Sequence, residues 1–252
     1  MVPRRRSFLV ASGLGVGALA AGAIAIVPRL LWEDRVDYSS AVSIRDAPWF
    51  QHPTLLEKAW ALPVAARYRP HFELQSNPSF CGPASLVNVM RSRGQTRERQ
   101  ADLMGGSGIF NIFGLIPGGL SLDELAGLAR RRLAGATVST LHELDAAAFR
   151  AHLHRCNDLS RRYVANFSRG PLFGRGSGHH SPIAGYLRDE DLVLVLDVNR
   201  AFGPWLVAAD RLHAAIRTVD PTTRQPRGLL LIDCAPQLCT VDQPAVTTRD
   251  HS

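Results

Sequence analysis

The apolar positions change period part-way along the chain. Over residues 53–64 they recur at helical spacing and predict a short helix. Residues 83–93 do the same, with Pro83 suited to a first helical turn and Gly94 to a stop. Ser121 and Glu124 form a capping box ahead of a helix over 122–133. A strand at 136–141 and an amphipathic helix at 145–156 follow. Beyond residue 160 the runs become short, apolar or β-branched, at 163–167, 180–187, 192–198 and 228–233. Asp189-Glu190-Asp191 is turn chemistry between two of them and predicts an antiparallel hairpin. A helix at 209–219 interrupts before the last strand. Helices first and antiparallel strands second is an α+β order, placed in a single domain over 33–235. Residues 33–53 read as an extended lead-in, 104–119 as a Gly-rich loop and 236–252 as a tail.

The first 32 residues have a different character. Arg5-Arg6-Ser7-Phe8-Leu9 resembles a twin-arginine export signal, and the uncharged, Gly- and Ala-rich stretch 8–27 follows it. Small-x-small sites at Ala18-Leu19-Ala20 and Ala23-Ile24-Ala25 allow cleavage; an uncleaved membrane anchor through 8–27 is the rival reading. Basic residues on the N-terminal side put the remainder outside the cytoplasmic membrane in both cases. The expected location is periplasmic, either free or facing the periplasm from the inner membrane.

Composition narrows the function classes. With 46% hydrophobic and 20% charged residues, the 252-residue chain is neither disordered nor fibrous. Its net charge of +7 includes Arg4, Arg5, Arg6 and Arg29 ahead of the first acid, so the part from Glu33 on carries only +3. That is no nucleic-acid footprint. Four cysteines are too few for a disulfide scaffold, and Cys234 and Cys239 lack the neighbours of a zinc site. Those two can pair in an oxidising compartment, and Cys156 reads as an ordinary helix residue.

Cys81 stands between the turn Ser76-Asn77-Pro78-Ser79 and a predicted helix start, where the dipole and free N–H groups favour a thiolate. Gln75, across the turn, can send its amide back to complete an oxyanion hole with the Cys81 backbone N–H, and Gly82 leaves room for a substrate carbonyl. His179 opens a strand after flexible glycines, and Asp197 ends the next one. The hairpin between them brings the two together, so that Asp197 orients the imidazole facing Cys81. The order Cys, His, acid on helices followed by a sheet matches the papain-like scheme.

Three motifs carry a resemblance. Gln75-Ser76-Asn77-Pro78-Ser79-Phe80-Cys81-Gly82-Pro83 looks like the nucleophile motif of the phytochelatin synthase family. Gly178-His179-His180-Ser181-Pro182-Ile183 resembles its histidine motif, and Leu194-Val195-Leu196-Asp197-Val198-Asn199-Arg200 its acid motif. Pro83 and the short run Ala201-Phe202-Gly203-Pro204-Trp205 depart from the family pattern. The resemblance implies a papain-like fold and a thiol enzyme that removes glycine from glutathione through a γ-glutamylcysteinyl thioester. Water or a second glutathione then takes the acyl group. It makes Cys81 the nucleophile, His179 the base and then acid, Asp197 the orienter and Gln75 an oxyanion donor. Arg169 and Arg227 become clamps for substrate carboxylate, Arg200 a structural partner for an acid beneath the site, and His180 a secondary residue.

The expected partner is glutathione. No resident cofactor or metal is required; Cd²⁺ or Zn²⁺ activates only as a metal thiolate of glutathione. The cysteine-rich C-terminal region of eukaryotic members is not in this sequence, which favours hydrolysis over chain extension. Two alternatives stay open: a papain-like peptidase for other γ-glutamyl or short peptides, and a non-catalytic periplasmic thiol or metal binder. The oligomeric state is not legible.

Overall fold

The computed structural model describes residues 36–95, 97–112 and 114–234. The expected export segment at 1–32 with its apolar stretch 8–27, the tail at 236–252, and Cys239 as a partner for Cys234 lie outside the described residues. Among the described residues, no helix is long and apolar enough to cross a membrane.

Helix α1, Pro53–Trp60, and helix α2, Pro63–Tyr68, stand where the periodicity predicts one helix. Leu62 precedes Pro63 and is driven to extended backbone, with φ −63° and ψ 146°, so the chain turns and restarts. Helix α3, Cys81–Ser92, begins two residues earlier than Pro83 suggests, making Cys81 its first residue. Helix α4, Leu122–Arg132, has the expected capping box: Ser121 Oγ accepts from the Glu124 N–H while the Glu124 carboxylate accepts from the Ser121 N–H. Strand β1, Ala136–His142, and helix α5, Ala146–His154, follow as expected.

The second half builds the sheet. Strand β2 is Arg161–Ser168; a short helix α6, Gly170–Phe173, leads to β3, Gly178–Leu187, and β4, Leu192–Leu196. Strand β5, Pro204–Ala208, was not anticipated, because its five residues begin with a proline and merge into a helical pattern. Helix α7, Ala209–Ile216, and β6, Gly228–Cys234, complete the order. All six strands form one antiparallel sheet in the order β1-β6-β2-β3-β4-β5. The fold is α+β, with most helices before an antiparallel sheet.

Both faces of the sheet are covered. Val164, Ala184, Leu194 and Leu230 point to one face, where α3 and α4 pack with Leu86, Met90 and Leu125. Ala165, Phe167, Val195 and Trp205 point to the other, against Phe149 of α5 and Leu212 of α7. Burial on both sides explains why β4 reads as an unbroken apolar run. The lead-in is more than an extended arm: Ile44 and Phe50 are buried on the second face, and the Leu206 N–H donates to the Phe50 carbonyl at 2.8 Å.

Gly228 starts β6 between β1 and β2, where a Cβ would lie 2.1 Å from the Leu141 carbonyl oxygen. Gly228→Ala should therefore prise β1 from β6 and cost about 1–3 kcal/mol. Denaturant unfolding of the variant beside the parent checks this.

Candidate active site

Helix α3 crosses the sheet at β3 and delivers Cys81 to the end of that strand. The Ser85 Oγ–H donates to the His180 carbonyl at 3.0 Å and pins helix to strand. The turn before the helix is held from two sides. Asn88 accepts from the Glu73 N–H at 2.9 Å and donates to the Glu73 carbonyl at 2.8 Å. Gln100 accepts from the Ser76 N–H and donates to the Leu74 carbonyl. The Gln75 N–H donates to the Val198 carbonyl at 2.8 Å, which couples the nucleophile turn to the residue after Asp197.

His179 Nε2 lies 3.0 Å from Asp197 Oδ1, so Nδ1 is the nitrogen left for the thiol. The edge of Phe167, its cross-strand neighbour, packs against the ring at 5.6 Å between centroids. Asp197 is fully buried. Its oxygens accept from Arg169 Nη2 at 2.8 and 2.9 Å, Trp205 Nε1 at 3.1 Å and the Asn199 N–H at 2.9 Å. Burial alone would raise the carboxyl; the charge and hydrogen bond of His179, with Arg169 and the Asn199 N–H, bring it down to about 2. Burial pushes the His179 imidazole down, yet the Asp197 charge more than restores it and holds it above its ordinary value.

Burial also opposes charge on Cys81, and the hydrogen bonds and charges of His179 and His180 overcome it, placing the thiol well below its usual range. Cys156 is the control within the same molecule. It is also buried, without such neighbours, and burial pushes its thiol up to about 12. Burial works against charge on both thiols, and the imidazoles reverse its effect at Cys81 alone.

A cavity of about 720 Å³ opens over this array. Ile112, Leu115, Ile116 and Leu120 contribute apolar lining, and Arg169 and Arg227 contribute polar lining. The Arg227 guanidinium is buried and its Nη1 donates to Asn166 Oδ1 and Asp220 Oδ2, each at 3.0 Å. Gly178 makes room for it, since a Cβ there would lie 2.2 Å from Arg227 Nη1.

A family model described as phytochelatin synthase matches residues 51–229. The chain belongs to the phytochelatin synthase family. "Glutathione gamma-glutamylcysteinyltransferase 1" of Triticum aestivum is 33% identical over 182 residues, covering 64% of this chain and 34% of the wheat protein. The Schizosaccharomyces pombe enzyme named glutathione gamma-glutamylcysteinyltransferase is 24% identical over 170 residues, covering 63% of this chain and 41% of its own. The match thus spans 34% to 41% of the length of these relatives. Among solved structures, the peptidase domain of Streptococcus ComA, a bi-functional ABC transporter involved in quorum sensing, aligns with a TM-score of 0.44 at 16% identity. It covers 65% of this chain and 97% of that domain.

With a thiol at a helix start and His179 and Asp197 on the sheet, the chain has the papain-like arrangement of a phytochelatin synthase family cysteine enzyme. Three of the expected residues sit differently from the reading of the sequence. Gln75 lines the cavity, but its amide nitrogen donates to the turn carbonyls of Asn77 at 2.9 Å and Pro78 at 3.1 Å. Gly82 has no open space beside it, because Leu120 fills it: a Cβ would lie 3.0 Å from Leu120 Cδ1. Arg200 is exposed, and the arginine that holds the buried acid is Arg169, stacked over Phe202 at 3.6 Å. Sequence reasoning missed Trp205 as a donor to Asp197, Gln100 as a clamp of the turn, and His180 as a neighbour of the thiol, with Nδ1 3.9 Å from Sγ. The doubled His179-His180 was the visible signal for the last.

The thiolate–imidazolium pair is populated between the lowered thiol pKa and the raised imidazole pKa. Iodoacetamide at pH 6 to 7 should therefore alkylate Cys81 and leave Cys156 untouched, as read by peptide mass spectrometry. Asp197→Asn removes the charge that lifts His179, and should slow alkylation at pH 6 about tenfold.

Proposed function

We propose that this chain removes glycine from glutathione through a thioester on Cys81. The observation that carries the reading is the ionisable thiol at the foot of a cavity whose polar lining includes two buried arginines. Arg169 and Arg227 both line the cavity, and their guanidinium charge suits recognition of the two carboxylates of glutathione. Arg169 has a second role, since its Nη2 holds Asp197.

The Cys81 thiolate attacks the carbonyl carbon of the Cys–Gly bond, and the backbone N–H groups at the start of α3 take the developing oxyanion. Gln75 joins them only on releasing one of the turn carbonyls it now holds. The His179 imidazolium gives its proton to the departing glycine nitrogen. It then accepts a proton from water, whose oxygen attacks the thioester and frees γ-glutamylcysteine. Asp197 keeps the ring in register through both steps.

A second glutathione can replace water, with Cd²⁺ or Zn²⁺ entering as part of that substrate thiolate. Extension needs a surface that raises the effective concentration of the acceptor, and water needs none. We take hydrolysis as the main course. Cys81→Ser should lower glycine release by on the order of 10⁴-fold with the fold intact by circular dichroism. The products expected from the parent are γ-glutamylcysteine and glycine, with phytochelatin of two units minor at high glutathione. If Cd²⁺ makes longer oligomers the major labelled product, the acceptor surface exists and the hydrolytic reading is wrong.

The export reading of residues 1–32 belongs to the same proposal and puts the enzyme outside the cytoplasmic membrane. A reporter fused to residues 1–40 should reach the periplasm, and replacing Arg5 and Arg6 with Lys should strand it inside. Unimpeded export of that variant would point to the general secretory route or an anchor.

A further inference from the structure

His180 has no assigned part in the scheme above, yet its side chain approaches the reacting sulfur. It is 2% exposed, and its Nδ1 is 3.9 Å from Cys81 Sγ. It faces the thiol from the α3 side of the sheet, whereas His179 projects to the face of Phe167 and Trp205. Its position is fixed independently of any substrate, because the Ser85 hydroxyl holds its carbonyl and Asn166 pairs with it across β2.

The remaining ring nitrogen decides the tautomer. His180 Nε2 is buried and has no hydrogen-bond partner. An orphaned N–H is costlier and rarer in a protein interior than an orphaned lone pair, so the proton belongs on Nδ1, facing the sulfur. Around the ring, Arg227 is bonded to the neighbouring Asn166 with Asp220 beyond it, and His179 and Arg169, both bonded to Asp197, lie on the opposite face. The other elements against β3 meet it further along: Leu62, before α2, at Gly185, and β4 from Ile183 onward.

We propose that His180 is a second catalytic imidazole, an Nδ1–H donor to the Cys81 sulfur that stabilises the thiolate while His179 alone carries the proton to and from the reacting groups. The two adjacent histidines then divide two tasks that a single imidazole would otherwise combine. His180 donates whenever the sulfur bears charge, before attack and again when the thioester breaks. Its own proton never leaves the ring. This rests on Cys81 being the nucleophile but not on the substrate being glutathione, so thiol chemistry without substrate tests it separately.

The experiment is the pH profile of Cys81 alkylation by iodoacetamide in the full chain. His180→Phe removes the donor and keeps the bulk. Loss of a hydrogen bond to a charged group should move the thiolate midpoint up by about one pH unit and slow alkylation about tenfold below it. Above both midpoints the variant thiolate should react about two- to threefold faster, because nucleophilicity rises with thiol pKa. His180→Asn, whose amide occupies the δ position, should bring the midpoint back. A crossing of the two profiles is not what a loosened site would produce; such a lesion slows the reaction at every pH. In the unmodified protein, imidazole ¹⁵N shifts should report Nδ1 of His180 protonated while the sulfur is charged, a reading that stands even if the Phe variant does not fold. An unchanged midpoint in His180→Phe, or a bare Nδ1, overturns the proposal.

Discussion

A carboxylate removed from water needs a full set of donors, and the geometry of this molecule follows from supplying them to Asp197. Four groups converge on it: the His179 ring, the Arg169 guanidinium, the Trp205 indole and the Asn199 N–H. They come from β3, from the end of β2, from β5 and from the chain just after β4. Removing one donor leaves charge uncompensated in a medium of low polarity, which is far costlier than losing a surface ion pair. The acid therefore sets the relative placement of three strands. It also reaches the nucleophile, since Val198 beside it accepts from the Gln75 N–H at the turn that starts α3.

Around that anchor the site separates charge from bulk apolar packing. One face of the sheet meets α3 and brings the thiol, and the other meets the aromatic cluster of Phe50, Phe167, Phe173 and Trp205. Aromatic edges and faces around Arg169 and His179 exclude water from the ion pairs, and exclusion of water strengthens them. The contrast between Cys81 and Cys156 follows from this arrangement. Both are buried, and what differs is the pair of imidazoles around one of them.

Apolar lining of the cavity comes from the Gly-rich loop, which the sequence marks only as a connection. Ile112 and Leu115 remain half exposed there and pair by a short antiparallel bridge. Elsewhere in the lining, Gly178 does more than loosen the chain before His179. Its missing side chain is what lets Arg227 enter. Arginine and loop thus shape the substrate space from elements far apart in sequence.

By itself the sequence determined whatever depends on neighbours two to four residues apart. The capping box of Ser121 and Glu124, the apolar strand run that begins at Leu192 and the hairpin at Asp189-Glu190-Asp191 all belong to that class. The hairpin also placed His179 near Asp197, because their strands are neighbours in sequence, and the resemblance of the three motifs joined Cys81 to them. Tertiary structure alone decided the rest. Arg169 meets Asp197 across 28 residues, His180 meets Cys81 across 99, and the Gln75 amide is spent on its own turn. None of these has a periodicity to read. Each depends on strand register and on where α3 crosses the sheet, and a shift of one residue in β3 would exchange His179 and His180 between the two faces.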